Sequence, residues 1–486
     1  MSSPELVPVA FRGDGEGVEE LSWGQWELWE GLDRLGTWMP IGMVRPLSPD
    51  TTVDDVAGQL RFMMSRYQTM RTRLRFDPDG PKQVVHGAGE TKLEVVDTEE
   101  GEEPAKAAER TRQRLVETPY DFADHWPVRM AAIRHRGLLT HVVLVVCHLV
   151  TDARGASVLL SDLAARDPVT GEVPHPPAAA QPLAQARWQR SPAGQRQSRM
   201  ALRYWEELLR TIPARRFPGT GSPRRPRYWQ AGFDSPAALL AIHAISARTG
   251  SGTAPILLTT FCVALARCTG INPVATRVIV DNRFRPGFAD VVCPLAQAGL
   301  LVVDVAGATF DTALDRTRRR SMAGYKYAYF DASQVYQLIE QVSRDRGEKL
   351  HLGCFFNDRR GQPATEPVPT APTRQEVEAA RSRTAIRWER QQDEPFEELF
   401  LHVNAARDTL DLTAQFDTRY LSPAEVEALL REMEAMAVAA AFDPAVPTGV
   451  PRSAGVDAAG EDSAWVDAAG PGGAGGDGNG GGGGGA

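Results

Sequence analysis

The arrangement of apolar and polar residues is most informative at positions 137–152, which read GLLTHVVLVVCHLVTD. The apolar run is rich in β-branched residues and too short to cross a membrane, so it predicts a buried strand over 138–150. Helical periodicity follows and predicts a helix over 154–165. The pattern therefore places His148 at a strand end facing a cleft, a position typical of a catalytic group.

Both halves of the chain mix helical and strand patterns. Apolar residues at helical spacing predict helices over residues 51–67, 104–117, 194–209, 236–249, 254–268, 310–323, 332–342 and 423–440. Short apolar runs predict strands over residues 128–134, 276–280, 299–305, 350–356, 399–404 and 409–416. This mixture predicts an α/β fold (α+β, with mixed sheets) built from two similar lobes.

Three segments lack such periodicity. Residues 210–227 are rich in Arg and Pro and predict an exposed connector between the two halves. Residues 360–372 are polar and Pro-rich, which predicts a surface excursion. From position 447 the chain passes into an Ala/Gly-rich tail that cannot bury enough apolar surface to order itself. We therefore expect the folded part to end near Asp443.

Composition and charge narrow the class of protein. The chain has 486 residues, of which 42% are hydrophobic, as in globular proteins. Its net charge is -8, and because nucleic-acid binding needs a basic surface, this charge argues against a nucleic-acid partner. Its five cysteines include no C-x-x-C pair, which argues against a disulfide framework and a zinc site. No signal-peptide pattern opens the chain, and no run reaches about 18 apolar residues. We expect a cytoplasmic protein with neither nucleic-acid nor membrane contacts.

The spacing of His148 and Asp152, His-x-x-x-Asp, is compatible with several kinds of site. A metal site needs a third protein ligand, but the other histidines form no cluster of ligand spacing with His148. A serine or cysteine triad would require an elbow such as G-x-S-x-G, which is absent, and Cys147 points to the opposite face of the strand. Two interpretations remain: an imidazole that accepts or positions a proton, and a buried histidine with a purely structural role.

Six segments, in order along the chain, resemble the motifs of the condensation domains of nonribosomal peptide synthetases. The segment CHLVTDA at 147–153 is similar to the signature HHxxxDG of that family. The other segments are LSWGQWELW at 21–29, RYQTMRTRL at 66–74, QARWQ at 185–189 followed by Tyr204-Trp205, Asn282-Arg283 with the segment ending at Leu300-Leu301, and residues 409–440 with DTRYLS at 417–422. Each segment alone is a weak signal, but together they cover about residues 17–443.

The resemblance implies two chloramphenicol acetyltransferase-like lobes that form a V with a central tunnel. It places an N-terminal lobe carrying HxxxD at 17–190 and a C-terminal lobe at 191–445, and leaves 446–486 as a disordered tail. A monomer is expected. Wax ester synthases and polyketide-associated acyltransferases share such lobes and the HxxxD spacing, so they stay open as alternatives.

The resemblance also implies roles for particular residues. His148 matches the second His of the signature and would contact the acceptor amine, which must lose a proton as it becomes an amide. Asp152 is expected to pair with Arg283 from the fifth motif in a structural ion pair, and removing either partner would cost about 3–5 kcal/mol. Arg71 matches an arginine of the second motif, for which a role in the site and a solvated position at a helix end are both open.

Three positions depart from the family's motifs. Cys147 replaces the first His of the signature and, on the far face of the strand, is expected to pack as a small apolar group. Ala153 replaces a glycine and adds a methyl group near the reacting thioester, while Gly155 is expected to restore backbone freedom. In the fifth motif, Cys293-Pro294 stands where the family has glycine, which affects the acceptor side.

The function that the resemblance implies is attack of an acceptor amine or hydroxyl on an acyl thioester, which forms an amide or an ester. Substrates are expected on the phosphopantetheine arms of peptidyl or acyl carrier proteins, with no bound cofactor and no metal. Since no adenylation or carrier-protein pattern follows the second lobe, we expect a free-standing domain. Acidic carriers could dock on arginine clusters at 215–216, 224–227 and 318–320.

Two alternatives come from other functional classes. A catalytically silent condensation-like domain could act as a platform that recruits a partner protein, although retention of His148 and Asp152 favours an enzyme. A CoA-dependent O- or N-acyltransferase would use the same histidine with a different donor. The sequence does not choose between CoA and a carrier protein.

Overall fold

Strands and helices alternate along the whole computed structural model, which describes residues 3–167, 170–361 and 371–452. The strands in these ranges are β1 (Glu5–Arg12), β2 (Gly17–Glu20), β3 (Pro40–Pro46), β4 (Thr72–Asp77), β5 (Gly80–Val85), β6 (Ala88–Asp97), β7 (Val128–His135), β8 (Leu138–Cys147), β9 (Tyr228–Ser235), β10 (Val274–Val280), β11 (Gln297–Val303), β12 (Cys354–Asp358), β13 (Ala385–Gln392), β14 (Leu399–Asn404) and β15 (Leu410–Asp417). The helices are α1 (Trp23–Leu35), α2 (Val53–Arg66), α3 (Pro104–Glu117), α4 (Ala153–Ala165), α5 (Pro182–Arg190), α6 (Pro192–Thr211), α7 (Pro236–Thr249), α8 (Thr253–Thr269), α9 (Phe310–Lys326), α10 (Ala332–Arg346), α11 (Arg374–Ala380) and α12 (Pro423–Phe442).

The N-terminal lobe is built on a five-stranded mixed sheet with the strand order β1-β6-β7-β8-β3. Only β6 and β7 pair in parallel within it. Strand β8 is almost entirely buried because β7 and β3 flank it on both edges. A small sheet with the order β2-β5-β4 lies beside this lobe. The continuous apolar run read in the sequence is therefore a central strand, as its composition predicted.

The C-terminal lobe is built on a seven-stranded sheet with the order β11-β10-β12-β14-β15-β9-β13. Side chains alternate between its two faces: Val274 joins the apolar cluster under α7, α8 and α12, whereas Ala275 joins the cluster under α6 and α10. Strands β10, β12 and β14 are parallel neighbours. Their C-terminal ends therefore share one edge of the sheet, where Arg359 directly follows β12.

Local sequence signals set the starts of several helices. Ser22 and Gln25 form a reciprocal capping box at the start of α1, and Ser422 with Glu425 does the same for α12. At the start of α4 the capping side chain is Asp152, which accepts a hydrogen bond from a backbone N–H of the first turn. The carboxylate of the His-x-x-x-Asp pair thus has a structural task in its own helix.

The predicted fold class is confirmed: the protein mixes helices with two large mixed sheets, one in each half. Every helix and strand named from the sequence has a counterpart, although β12 begins at Cys354, four residues after the start predicted for it. The strand predicted over 138–150 ends earlier, at Cys147, because residues His148–Val150 turn into a 3₁₀-helix. His148 therefore lies in the turn between β8 and α4 and not in the strand itself.

Several predicted boundaries were wrong. The N-terminal lobe does not begin at residue 17, since β1 pairs with β6 along its whole length. The C-terminal lobe continues past residue 445: Thr448 donates to the carbonyl of Ala308, and Val450 is buried. Part of the segment assigned to a disordered tail is therefore packed on the lobe, and residues 453–486 lie outside the described part of the chain.

The predicted connector at 210–227 is also only partly exposed. Helix α6 continues through Thr211, and Arg216 and Phe217 are buried. Of the predicted surface excursion at 360–372, residues 362–370 lie outside the described part. Within the described ranges no single helix is long and apolar enough to cross a membrane, and one sharply bent pair, α7 with α8, reaches that length and composition only in combination.

Candidate active site

His148 is the first residue of the short 3₁₀ turn between β8 and α4, and its side chain is partly exposed. Its Nδ1 atom is buried and has no hydrogen-bond partner among the described residues. Burial lowers the pKa of His148, the charge of Asp152 offsets part of that effect, and the charge of Arg359 lowers the pKa further. The imidazole is therefore neutral near pH 7, the form that can accept a proton.

Asp152, in contrast, is held by hydrogen-bond donors on every side. Its Oδ1 accepts from the backbone N–H of Gly155 at 2.8 Å and contacts Arg283 Nη2 at 2.8 Å. Its Oδ2 accepts from Arg283 Nη1 at 2.9 Å and from the N–H groups of Leu295 and Ala296 at 2.9 and 3.1 Å. None of these donors is His148, so the carboxylate joins the two lobes and does not orient the imidazole directly.

Arg283 supplies the other half of this buried ion pair. The guanidinium is buried, and its Nη2 donates to the carbonyls of Val291 and Cys293 at 2.9 and 3.2 Å. Next to it Asn282 adopts a positive φ of 59° and donates to the carbonyls of Leu295 and Ala328. The two side chains thereby fix the 291–296 segment against the start of α4.

Gly155 is required for close packing between the lobes. A Cβ at this position would stand 2.2 Å from the carbonyl oxygen of Val292 and 2.4 Å from Thr151 Oγ1. Its backbone φ is ordinary, so the expectation that Gly155 restores backbone freedom was wrong. The reason could not be seen from the signature alone, because Val292 belongs to the other lobe.

Cys147 and Ala153 lie on either side of the turn that carries His148, and their surroundings differ. Cys147 is fully buried in the core of the N-terminal lobe, its Sγ donates to the carbonyl of Trp38 at 3.4 Å, and burial raises its thiol pKa to about 12. A protonated, inaccessible thiol is no nucleophile. Ala153 is exposed at the first position of α4, so its methyl group faces solvent rather than the core.

Arg71 takes neither of the two positions that the sequence left open. It is buried, and its Nη1 donates to the carbonyls of Gly15 and His86 at 2.7 and 2.5 Å. Nη2 donates to the carbonyl of Asp14. The guanidinium therefore clamps the 13–15 loop to the start of β4, and this is a structural task within the N-terminal lobe.

Two neighbouring residues, Arg359 and His402, carry no signal in the sequence, and the charge of Arg359 reaches His148. Arg359 follows β12, and its Nη2 lies 3.1 Å from Nε2 of His402 on β14. The ring of Phe400 stacks on His402 with centroids 4.1 Å apart. Burial and, to a smaller extent, the charge of Arg359 lower the pKa of His402 to about 3. No motif marks either residue, because they meet only through the parallel pairing of β12 with β14.

The arginine clusters proposed for docking differ in what they offer to a partner. Arg216 is buried, and Arg227 forms an ion pair with Asp417 at 2.8 Å, so neither is a free surface cation. Arg318 stays exposed beside Asp315 at 3.6 Å. Over the described ranges no three His, Cys, Asp or Glu residues come together in a way that could hold a metal ion.

Comparison with known proteins places this chain in a family. Cyclosporin synthetase simA from Tolypocladium inflatum is 25% identical over 380 residues, which cover 73% of this chain and 2% of that protein. The chain spans between 2% and 11% of the length of the curated relatives that it matches. The alignments thus relate this chain to small parts of much larger proteins.

Solved structures show the same fold. The condensation domain for chain release from the enacyloxin polyketide synthase has a TM-score of 0.66 at 20% identity, covering 87% of this chain and 83% of that one. The X-domain from teicoplanin biosynthesis has a TM-score of 0.66 at 16% identity, covering 89% and 97%. The family described as "Condensation domain" matches residues 44–452. Because this match covers most of the sequence, the chain belongs to the condensation domain family.

Proposed function

We propose that this protein joins an acceptor amine to an acyl group held as a thioester, with His148 as the catalytic residue. The observation that carries the proposal is the state of the imidazole: partly exposed, kept neutral by burial and by Arg359, and free of the neighbouring carboxylate. Asp152 is saturated by other donors, so it fixes the turn that presents His148. Such an imidazole can accept a proton from an incoming nucleophile.

The reaction balances with His148 as the only proton carrier. The acceptor nitrogen attacks the thioester carbonyl carbon, and a C–N bond forms while the C–S bond breaks. His148 accepts the proton that the nitrogen loses and returns it to the sulfur that leaves as a thiol. With a hydroxyl acceptor the same steps give an ester, so the product class depends on the acceptor.

We further propose that the donor arrives on the phosphopantetheine arm of a carrier protein, and that the protein needs neither a bound cofactor nor a metal. Support comes from the relatives, which are peptide synthetases by name. The test is mass spectrometry of a carrier protein loaded with an acyl group, offered either an aminoacyl carrier protein or a free amino acid as the acceptor. Wild-type protein should transfer the acyl group, and His148→Ala should not.

A matched control is available on the same strand. His141 is partly exposed on β8, and its side chain contacts Thr140 at 3.1 Å. The variant His141→Ala should transfer acyl groups as the wild type does. Equal transfer by the wild type and by His148→Ala would contradict the proposal.

One observation favours a second donor. A related starter condensation domain from rhizomide synthetase has been solved in complex with C8-CoA. If octanoyl-CoA replaces the loaded carrier without loss of rate, the protein is a CoA-dependent acyltransferase. Strong preference for the carrier would support the proposal above.

Another observation favours a role without chemistry. The X-domain from teicoplanin biosynthesis has been solved in complex with OxyB, so a domain of this fold can hold a partner protein. A platform of that kind would bind its partner equally well as wild type and as His148→Ala, and neither of these two proteins would transfer acyl groups. Size-exclusion chromatography with the loaded carriers separates this outcome from a failed assay.

A further inference from the structure

Arg359 directly follows the C-terminal end of β12, and its charge reaches His148. Its backbone N–H donates to the carbonyl of Val403 at 2.8 Å, which fixes the start of the segment after β12. Burial lowers the pKa of its guanidinium, and no acidic neighbour is among the causes of that shift. The side chain nevertheless keeps more than a third of its surface exposed, as expected for a cation that lines a cleft.

Asp358, the residue before Arg359, and Asp152, which follows His148, are both paired with other groups. Asp358 binds Arg360 through both oxygens, at 2.8 and 2.7 Å. Asp152 is taken up by Arg283 and three backbone N–H groups. Among the described residues, the side chain within hydrogen-bond distance of the Arg359 guanidinium is that of His402, which is neutral because its pKa lies near 3. A neutral ring can orient the guanidinium but cannot compensate its charge.

A second cation approaches the same segment from the other lobe. Arg154 occupies the first turn of α4, two residues after Asp152, and is exposed. Its Nη1 stands 4.0 Å from the point where a Cβ on Gly361 would lie, and Gly361 is two residues beyond Arg359. Among the described residues Arg154 forms no ion pair. Two arginines, one from each half of the chain, therefore lie at the segment that follows β12.

We propose that Arg359, assisted by Arg154, binds a carboxylate of the substrate next to His148. This inference rests on the proposed condensation reaction and narrows its acceptor. An aminoacyl group on a carrier protein has its carboxyl tied up in the thioester and carries no charge there. Two cations that have no acidic partner among the described residues fit a free amino acid or hydroxy acid as the acceptor, so the product leaves with a free carboxylate.

Binding of product-like probes tests the proposal without relying on turnover. N-octanoylglycine carries the carboxylate, and N-octanoylglycinamide has nearly the same shape without the charge. Titration calorimetry with the full chain should show at least about tenfold tighter binding of the acid, since hydrogen bonds to charged groups have that size of effect. Arg359→Gln should abolish the preference, and Arg359→Lys should keep part of it.

A matched control removes an arginine elsewhere. Arg431 on the outer helix α12 pairs with Glu427 at 2.8 Å and is exposed, so Arg431→Gln should leave the acid preference unchanged. Thermal unfolding of all variants identifies any that fails to fold, and Arg359→Lys then carries the test. Equal affinity of wild type for acid and amide, or binding of neither, would overturn the proposal.

Phosphate is another anion that two arginines could hold, and it would come from the pantetheine arm. Phosphopantetheine and pantetheine, titrated in the same way, separate the two sources. If Arg359→Gln weakens phosphopantetheine binding and leaves the acid-to-amide ratio unchanged, the carboxylate proposal is wrong. An unchanged affinity for phosphopantetheine together with a lost acid preference supports it.

A transfer assay separates this inference from the proposed function. Octanoyl carrier protein is offered glycine or glycinamide, and the products are measured by mass spectrometry. Transfer that depends on His148 but shows the same ratio of products in wild type and Arg359→Gln leaves the condensation reaction standing and rejects the carboxylate site. Transfer to neither acceptor, combined with acid-selective binding, rejects the reaction and keeps the site.

Discussion

The charged groups on the two sides of the turn that carries His148 differ in whether they are paired. On the core side, Asp152 and Arg283 are buried and share their hydrogen-bonding capacity with backbone groups of both lobes. On the exposed side, His148 is partly accessible and Arg359 is exposed, and among the described side chains the Arg359 guanidinium meets a neutral imidazole. Satisfied charges hold a fold together, whereas unsatisfied ones are available to a ligand. Of the two signature residues, Asp152 is therefore tied into the fold, whereas His148 stays accessible.

The largest expected effect is the loss of stability when the buried ion pair of Asp152 with Arg283 is broken. Arg283→Ala leaves the Asp152 carboxylate buried without its cation and should lower the free energy of unfolding by about 3–5 kcal/mol. Urea denaturation measures this. Arg248→Ala, which opens the half-exposed pair of Arg248 with Asp311, should cost about 1 kcal/mol or less. Equal losses for the two variants would show that the buried pair is not special.

The glycine between the lobes provides a second test. Gly155→Ala forces a methyl group against the carbonyl of Val292 and should reduce stability by about 1–3 kcal/mol, with a loss of transfer activity as the turn shifts. Ala153→Gly, at an exposed position of the same helical turn, should cost about 1 kcal/mol or less. Thermal unfolding distinguishes the two. A harmless Gly155→Ala would mean that the lobes pack more loosely than the structure shows.

The pH dependence of acyl transfer tests the assignment of His148 as the base. A base must be neutral to work, and the lowered pKa of His148 keeps it neutral below the ordinary histidine value of about 6.5. The rate should therefore fall with decreasing pH only below that value. Arg359→Gln removes a charge that lowers this pKa, so the acidic limb should move to higher pH. A limb that stays in place or moves to lower pH would contradict the assignment.

The smallest effect is expected at the departure from the signature. Cys147→Ala removes a buried thiol whose pKa is about 12 and which faces the lobe core, so the transfer rate should not change. Stability should fall by about 1 kcal/mol. Steady-state rates and unfolding curves together check this. A large loss of transfer rate without a loss of stability would show that Cys147 takes part in catalysis.

The sequence predicted the fold class and the position of His148 because both depend on local pattern: a long apolar strand, then a helix that begins at Asp152. The partner Arg283 came from the resemblance and not from spacing. Arg359 and His402 could not be predicted, because the register of β12 and β14 brings them together and no motif marks them. The role of Gly155 was misjudged for the same reason, since the atom that excludes a side chain belongs to the other lobe.

The central claim is that the neutral imidazole of His148 moves the proton in acyl transfer. The most direct measurement is the single-turnover rate of acyl transfer from a loaded carrier protein by wild type and by His148→Ala, with folding checked by thermal unfolding. We expect His148→Ala to lower this rate at least about a hundredfold, the size of general base catalysis. A folded His148→Ala variant that transfers acyl groups at nearly the wild-type rate would contradict it.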